Sequence, residues 1–175
     1  MSGRPLGRWL FGKLPVLGDF VARGLDMAQR ERLDAWLSEE MEIARERFPD
    51  DFEHRYDSAP AWNFVDCDDT GRWSGGVLCA SMDRAGRRFP LMCAAPARDA
   101  GQAVAISGAW MEILQHAFAS GWGADRIQRA ELVETGLAWE PELPQWTLIG
   151  EDGPAKLLDG RFPRGVVWTM AEMAL

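Results

Sequence analysis

Apolar positions along the chain recur with two different periods. From Leu33 onward, Leu33, Trp36, Leu37, Met41, Ala44 and Phe48 return at helical spacing, while Glu31, Asp34, Glu39, Glu42, Arg45 and Glu46 take the other side. This stripe predicts an amphipathic helix with a solvated charged face. Asp26, with Gln29 three residues on, supplies a capping box at its start, and Pro49 ends it. A second helix is predicted over about 102–119, where Val104, Trp110, Met111, Leu114, Ala117 and Phe118 make a wider apolar arc with few charges. It should be the more buried of the two. A shorter helix over 125–135 would end at Gly136 as its C-cap.

Between the long helices the pattern changes to that of strands. Trp62–Cys67, Trp73–Met82 and Arg87–Ala95 are separated by DDTG at 68–71 and DRAG at 83–86. Both spacers put Asp first and Gly fourth, which suits a type I turn closed by a left-handed glycine bulge, so the three runs predict an antiparallel meander. The register imposed by DRAG sets Asp83 opposite Arg87, Ser81 opposite Phe89, Cys79 opposite Leu91 and Val77 opposite Cys93. Ala80 then faces Pro90, and Leu78 faces Met92. Both faces of this hairpin are apolar, and a sheet apolar on both faces needs a helical layer on each side. The expected class is therefore α/β (α+β), a three-layer α/β/α sandwich on a largely antiparallel sheet with the meander at about 62–95. Arg8–Leu14 reads as a short strand, followed by a loop set by Pro15, Gly18 and Gly24. Residues 50–61 read as a turn or a short helix around Phe52 and Tyr56, and Trp146–Ile149 as a strand. At 166–173 a strand through Val166, Val167 and Trp168 and a helix over Trp168–Met173 fit equally well. No repeat, linker or low-complexity tract divides the 175 residues, so one domain over 1–175 is expected.

Charge and cysteine usage restrict the partners. The net charge of −8 disfavours nucleic acid and anionic lipid. Cys67, Cys79 and Cys93 lie in apolar runs without CxxC spacing, as reduced thiols would. There is no apolar h-region near the start and no run long enough to span a bilayer, so the expected location is the cytoplasm without membrane insertion.

Two stretches are dense in chemistry. In FGKLPVLGDFVARGL, residues 11–25, Lys13 precedes the loop and no nucleotide-binding glycine pattern occurs. Asp19, between Gly18 and Phe20, is expected to be partly buried and paired with Lys13, Arg23 or a hairpin arginine, with Phe20 and Val21 packed inward. In SMDRAGRRFPL, residues 81–91, Asp83 and Arg87 would form a cross-strand ion pair, with Arg84 and Arg88 turned to solvent. Alternatively Arg84, Arg87 and Arg88 form a contact for an acidic or phosphorylated partner. A third reading is a small hydrolase that uses Asp19 and Asp83 as a carboxylate pair. Against it, Ser81 has no nearby base, His54 and His116 lie in unrelated contexts with His116 expected in the core, and no metal or nucleophile motif is present. The expectation is no enzyme, no cofactor and no metal.

Taken together, GKLP at 12–15, GDF at 18–20, RGL at 23–25, Trp36 on its helix, APAWNF at 59–64 and SMDRAGRRFPL at 81–91 resemble, in order and spacing, the TagF (ImpM) family associated with bacterial type VI secretion. The family pattern reads PSxDxxGRxFPL at the hairpin; Ala80 stands here in place of its proline. The C-terminal third matches loosely, through WTL at 146–148 and FPRG at 162–165. The resemblance implies a cytoplasmic, non-enzymatic accessory protein that represses secretion after translation by engaging a forkhead-associated scaffold component, on an α/β/α sandwich. It leaves a purely structural adaptor as an alternative. The glycine-rich loop and the hairpin are expected to pack side by side, with Lys13, Asp19, Arg23, Ser81, Asp83, Arg84, Arg87 and Arg88 as the partner-binding or charged network.

Overall fold

A computed structural model describes residues 5, 7–150 and 152–174. Its strands are β1 (Trp9–Gly12), β2 (Val21–Arg23), β3 (Trp62–Cys67), β4 (Trp73–Cys79), β5 (Leu91–Ala97), β6 (Gln145–Gly150) and β7 (Gly153–Asp159). Its helices are α1 (Met27–Arg47), α2 (Phe52–Asp57), α3 (Ala100–Ser120), α4 (Ala124–Arg129) and α5 (Val166–Glu172). The strands form one seven-stranded sheet in the order β2-β1-β5-β4-β3-β6-β7. All neighbours pair antiparallel.

The predicted two-sided hairpin sits in the middle of this sheet. Val77 pairs with Cys93, Leu78 with Met92 and Cys79 with Leu91. Successive side chains alternate faces, so Leu78, Met92 and Ala94 join Phe11, Trp62, Phe64 and Trp146 in a core covered by α1, α2 and α5. Val77, Cys79, Leu91, Cys93 and Ala95 enter a second core beneath α3 and α4. The three-layer architecture follows from that alternation. Close approach of α3 to β4 is possible only because position 75 has no side chain: a Cβ on Gly75 would lie 1.9 Å from the Ala103 carbonyl oxygen.

The first helix starts as its sequence predicts, with Asp26 Oδ1 accepting from the Gln29 N–H and Gln29 Oε1 accepting from the Asp26 N–H, both at 2.8 Å. Three elements differ from the sequence reading. Strands β4 and β5 are shorter, ending at Cys79 and resuming at Leu91, because Pro90 lacks the N–H that would continue the ladder. The pairing nonetheless persists to the turn through an isolated Met82–Arg88 bridge. Helix α4 stops at Arg129, so Gly136 is not its cap; Ala130 turns extended and the following chain lies along α3, with the Thr135 N–H donating to the Ala105 carbonyl at 3.3 Å. There Trp139 completes a small cluster with Val65, Ala103 and Val104. Strands β2 and β7 were not foreseen: β2 is three residues long, and positions 154–157 of β7 are all exposed, leaving no alternation to detect.

The ambiguous C-terminal stretch is helical. The cause lies far away, in Glu40 of α1, whose buried carboxylate accepts the Gly165 N–H at 2.8 Å and also meets the N–H groups of Val166 and Val167. It caps α5 from another element, and Gly165 reaches the site with φ of 87°, a left-handed conformation open to glycine. Val166, Val167 and Met170 are then fully buried against α1 and β3.

Burial raises the Glu40 pKa above its usual 4.5, with the three N–H groups pulling it back only in part. A carboxyl that holds its proton more tightly folded than unfolded contributes stability at acid pH, and that contribution is lost as pH rises past about 4.5 through the raised value. Glu40→Gln should therefore flatten the stability profile across mildly acidic pH, measured by urea titration at several pH values. Glu40→Ala, which orphans the α5 N–H groups, should cost about 1–3 kcal/mol. For the central hairpin, Leu78→Ala should cost about 2–5 kcal/mol by the same titration. Gly75→Ala should also destabilise, because α3 must lift off the strand.

Candidate functional site

The DRAG turn is built around one carboxylate. Asp83 Oδ1 accepts the N–H groups of Ala85 and Arg87, both at 3.0 Å, and the Gly86 N–H closes on the Asp83 carbonyl at 2.9 Å. Gly86 occupies the predicted left-handed position with φ of 80°. Asp83 Oδ2 accepts Arg87 Nε at 2.7 Å and Lys13 Nζ at 3.0 Å, and the side chain is wholly enclosed. Burial by itself would push this carboxyl up; the Arg87 N–H, the Lys13 ammonium and the Arg87 guanidinium outweigh it and hold Asp83 down at about 2.

The glycine-rich loop is fastened to this turn from several directions. Lys13 Nζ also donates to the Arg87 carbonyl at 3.3 Å. Arg87 Nη2 donates to the Gly18 carbonyl at 2.7 Å, the Arg84 N–H to the Leu17 carbonyl at 2.8 Å, and the Arg84 guanidinium to the Val16 carbonyl. Ser81 Oγ donates to the Lys13 carbonyl at 2.7 Å, and the Ser81 N–H to the hydroxyl of Tyr56 at 3.1 Å. Loop and hairpin thus do pack side by side, and Lys13, Ser81, Asp83, Arg84 and Arg87 form one network. Tyr56, the chain's single tyrosine, marks a turn or short helix in the sequence but gives no sign there of belonging to this network; it is fully buried, and burial raises its pKa.

The other three residues of the expected network lie elsewhere. Asp19 is exposed and forms no hydrogen bond or ion pair among the described residues. Its expected partners are taken: Lys13 and Arg87 by Asp83, and Arg23 by Asp125 of α4 at 2.7 Å. Arg88 does not turn to solvent but makes a two-pronged pair with Asp57 of α2 at 2.7 and 2.7 Å and meets Glu53 at 3.1 Å. That guanidinium lowers the Asp57 pKa. Phe20, expected inside, is 49% exposed; it lies edge-on to Phe89 at 4.8 Å and parallel to Phe11 at 6.0 Å, with Lys13 over its ring at 5.1 Å.

These contacts define what the groups can do chemically. Asp83 has both oxygens doubly engaged and an enclosed side chain, so it is not placed to take a substrate proton, and Asp19 is exposed with no contact to it. The Ser81 hydroxyl is spent on a carbonyl. His116 is exposed rather than in the core, and it lies on α3, across the sheet from His54 on α2. Among the described residues, no group of three or more His, Cys, Asp or Glu side chains could hold a metal ion. No helix among them is long and apolar enough to cross a membrane. Phe20, Arg84 and Arg87 are what the platform offers outward.

A family model described as the TagF N-terminal domain, type VI secretion system-associated, matches residues 9–132, which include the loop and the hairpin. No curated protein matches the chain. Three chains of solved structures do. One is the crystal structure of PA0076 from Pseudomonas aeruginosa PAO1 at 2.05 Å resolution, with 22% identity, a TM-score of 0.68, and coverage of 94% of this chain and 93% of that chain. At that identity the likeness is one of fold, and with 94% of the chain covered it extends beyond residue 132.

A carboxylate held below its unfolded value of 3.8 contributes stability above that pH and loses it as pH falls toward about 2. Asp83→Asn should lower the melting temperature at neutral pH and flatten its dependence on pH between about 4 and 2. Unchanged melting curves across that range would show that the carboxylate does not hold loop and hairpin together.

Proposed function

The chain belongs to the TagF family of type VI secretion system-associated proteins, and on that premise we propose that it is a non-enzymatic accessory protein. It restrains secretion after translation by binding a forkhead-associated scaffold component of the same system. The observation that carries this reading is the division of labour within the family's most distinctive segments. Lys13, Ser81 and Asp83, the groups fit for acid-base or nucleophilic work, are spent on fastening loop to hairpin. Phe20, Arg84 and Arg87 are left facing outward, which is the composition of a contact surface. The hydrolase alternative is disfavoured by the same geometry, since Asp83 is enclosed and paired with Lys13 and Arg87 while Asp19 stands exposed.

A cytoplasmic setting agrees with the thiols. Among the described residues Cys67, Cys79 and Cys93 take part in no disulfide, and burial pushes Cys79 up to about 12, which makes it a poor thiolate.

Affinity purification of the tagged protein from cells carrying the secretion cluster should recover the forkhead-associated component, and deletion of the protein should raise secretion without raising transcript levels of the cluster. Secretion unchanged on deletion, with no cluster component recovered, would refute this function.

A further inference from the structure

The loop-hairpin platform carries a charge imbalance inside an acidic chain. Lys13 and Arg87 share a single buried carboxylate and Arg84 follows it in the same turn, and even when the exposed Asp19 is counted, three cations stand against two acids in a molecule of net charge −8. The Arg87 side chain remains 64% exposed after pairing with Asp83. Arg84 is exposed as well, with one contact on the Val16 carbonyl. Beside them, Phe20 presents half of its surface from a fixed position, held by Phe11, Phe89 and Lys13. A ring immobilised in this way loses little freedom when it is covered.

The turn also indicates which kind of anion fits. Phosphate sites gather free backbone N–H groups around the ligand. Here all four are occupied: Arg84 N–H by Leu17, Ala85 and Arg87 N–H by the Asp83 carboxylate, and Gly86 N–H by the Asp83 carbonyl. What remains is a pair of guanidinium groups tethered on different carbonyls, with an aromatic face next to them. Separate carboxylates match such an arrangement, each taking one charged fork.

Resting on the binding role proposed above, we propose that Phe20, Arg84 and Arg87 form the docking site for an acidic segment of the partner protein, in which Asp or Glu residues flank an apolar side chain that covers Phe20. The phosphate-free, carboxylate-bearing form is the ligand. Arg84 keeps its backbone N–H bond to Leu17 when its side chain is changed, and Phe20 is half exposed, so Phe20→Ser and Arg84→Glu should loosen the loop without unfolding the chain, and melting curves check that each variant is folded.

Binding of the purified forkhead-associated component to wild type and to each variant should show a loss of about tenfold or more for each variant and a weakening of the wild-type complex with salt, with every variant still folded at the assay temperature. If the component binds wild type and both variants alike, the docking site is wrong while the regulatory function stands. If it does not bind wild type, that reading fails, and a synthetic panel then decides the docking site. The panel consists of an acidic peptide bearing a leucine, its Gln/Asn counterpart, and a Ser/Thr-phosphorylated version with the carboxylates removed. Amide shifts at residues 16–20 and 84–87 on adding the acidic peptide alone would uphold the site. No shifts, shifts elsewhere, or a response to the phosphorylated or neutral peptide instead would overturn it.

Discussion

Leu78 and Cys79 are neighbours on one strand and end in different cores, one under α1 and the other under α3. A strand buried on both faces must be apolar at every position, and it must be roofed twice. The rest of the architecture answers that demand. The amphipathic α1 covers one side and the more apolar α3 the other, and glycine at position 75 lets the second roof come down onto the sheet. Asn63, a polar residue within the sheet, is tolerated because its amide donates to Ser107 Oγ at 3.2 Å.

This constraint explains why much of the fold is legible in the sequence. The hairpin register from Val77–Cys93 down to Asp83–Arg87, the capping box at Asp26 and the two helical layers all follow from local spacing, and local spacing decided them. What was not legible is decided at a distance. Residues 166–172 fit strand and helix equally until Glu40 arrives with its carboxylate from more than a hundred positions away. Gly136 suits a C-cap and so extends the expected helix to position 135, but the Ala105 carbonyl and the surface of α3 take the chain instead. For β7, pairing with β6 rather than any pattern of its own makes the strand.

The candidate site shows the same division. That the GKLP loop and the DRAG hairpin belong together was visible, and so were five of the residues that join them. The errors concern competition among charges. The apolar neighbours of Asp19 argue for a paired acid, yet Asp83 has the better claim on Lys13 and Arg87, since it is enclosed and its turn presents N–H groups in place. Nothing in the sequence brings α2 and its Asp57 to Arg88, so the local pattern alone points that arginine to solvent. Spacing shows which residues are close in the turn, and only the packed elements show which charge wins each partner.

The arrangement at Asp83 also bears on how such a chain can change over generations. Removing the acid alone leaves the Lys13 ammonium enclosed beside a guanidinium with nothing to balance either, and removing Lys13 alone leaves the acid leaning on an arginine that is largely in water. Single replacements at positions 13 and 83 therefore pass through a worse intermediate, whichever comes first. The two positions, 70 residues apart in the chain, are bound to one another as a heritable unit. The exposed Arg84 and Phe20 are under no such obligation and are free to follow whatever surface they meet.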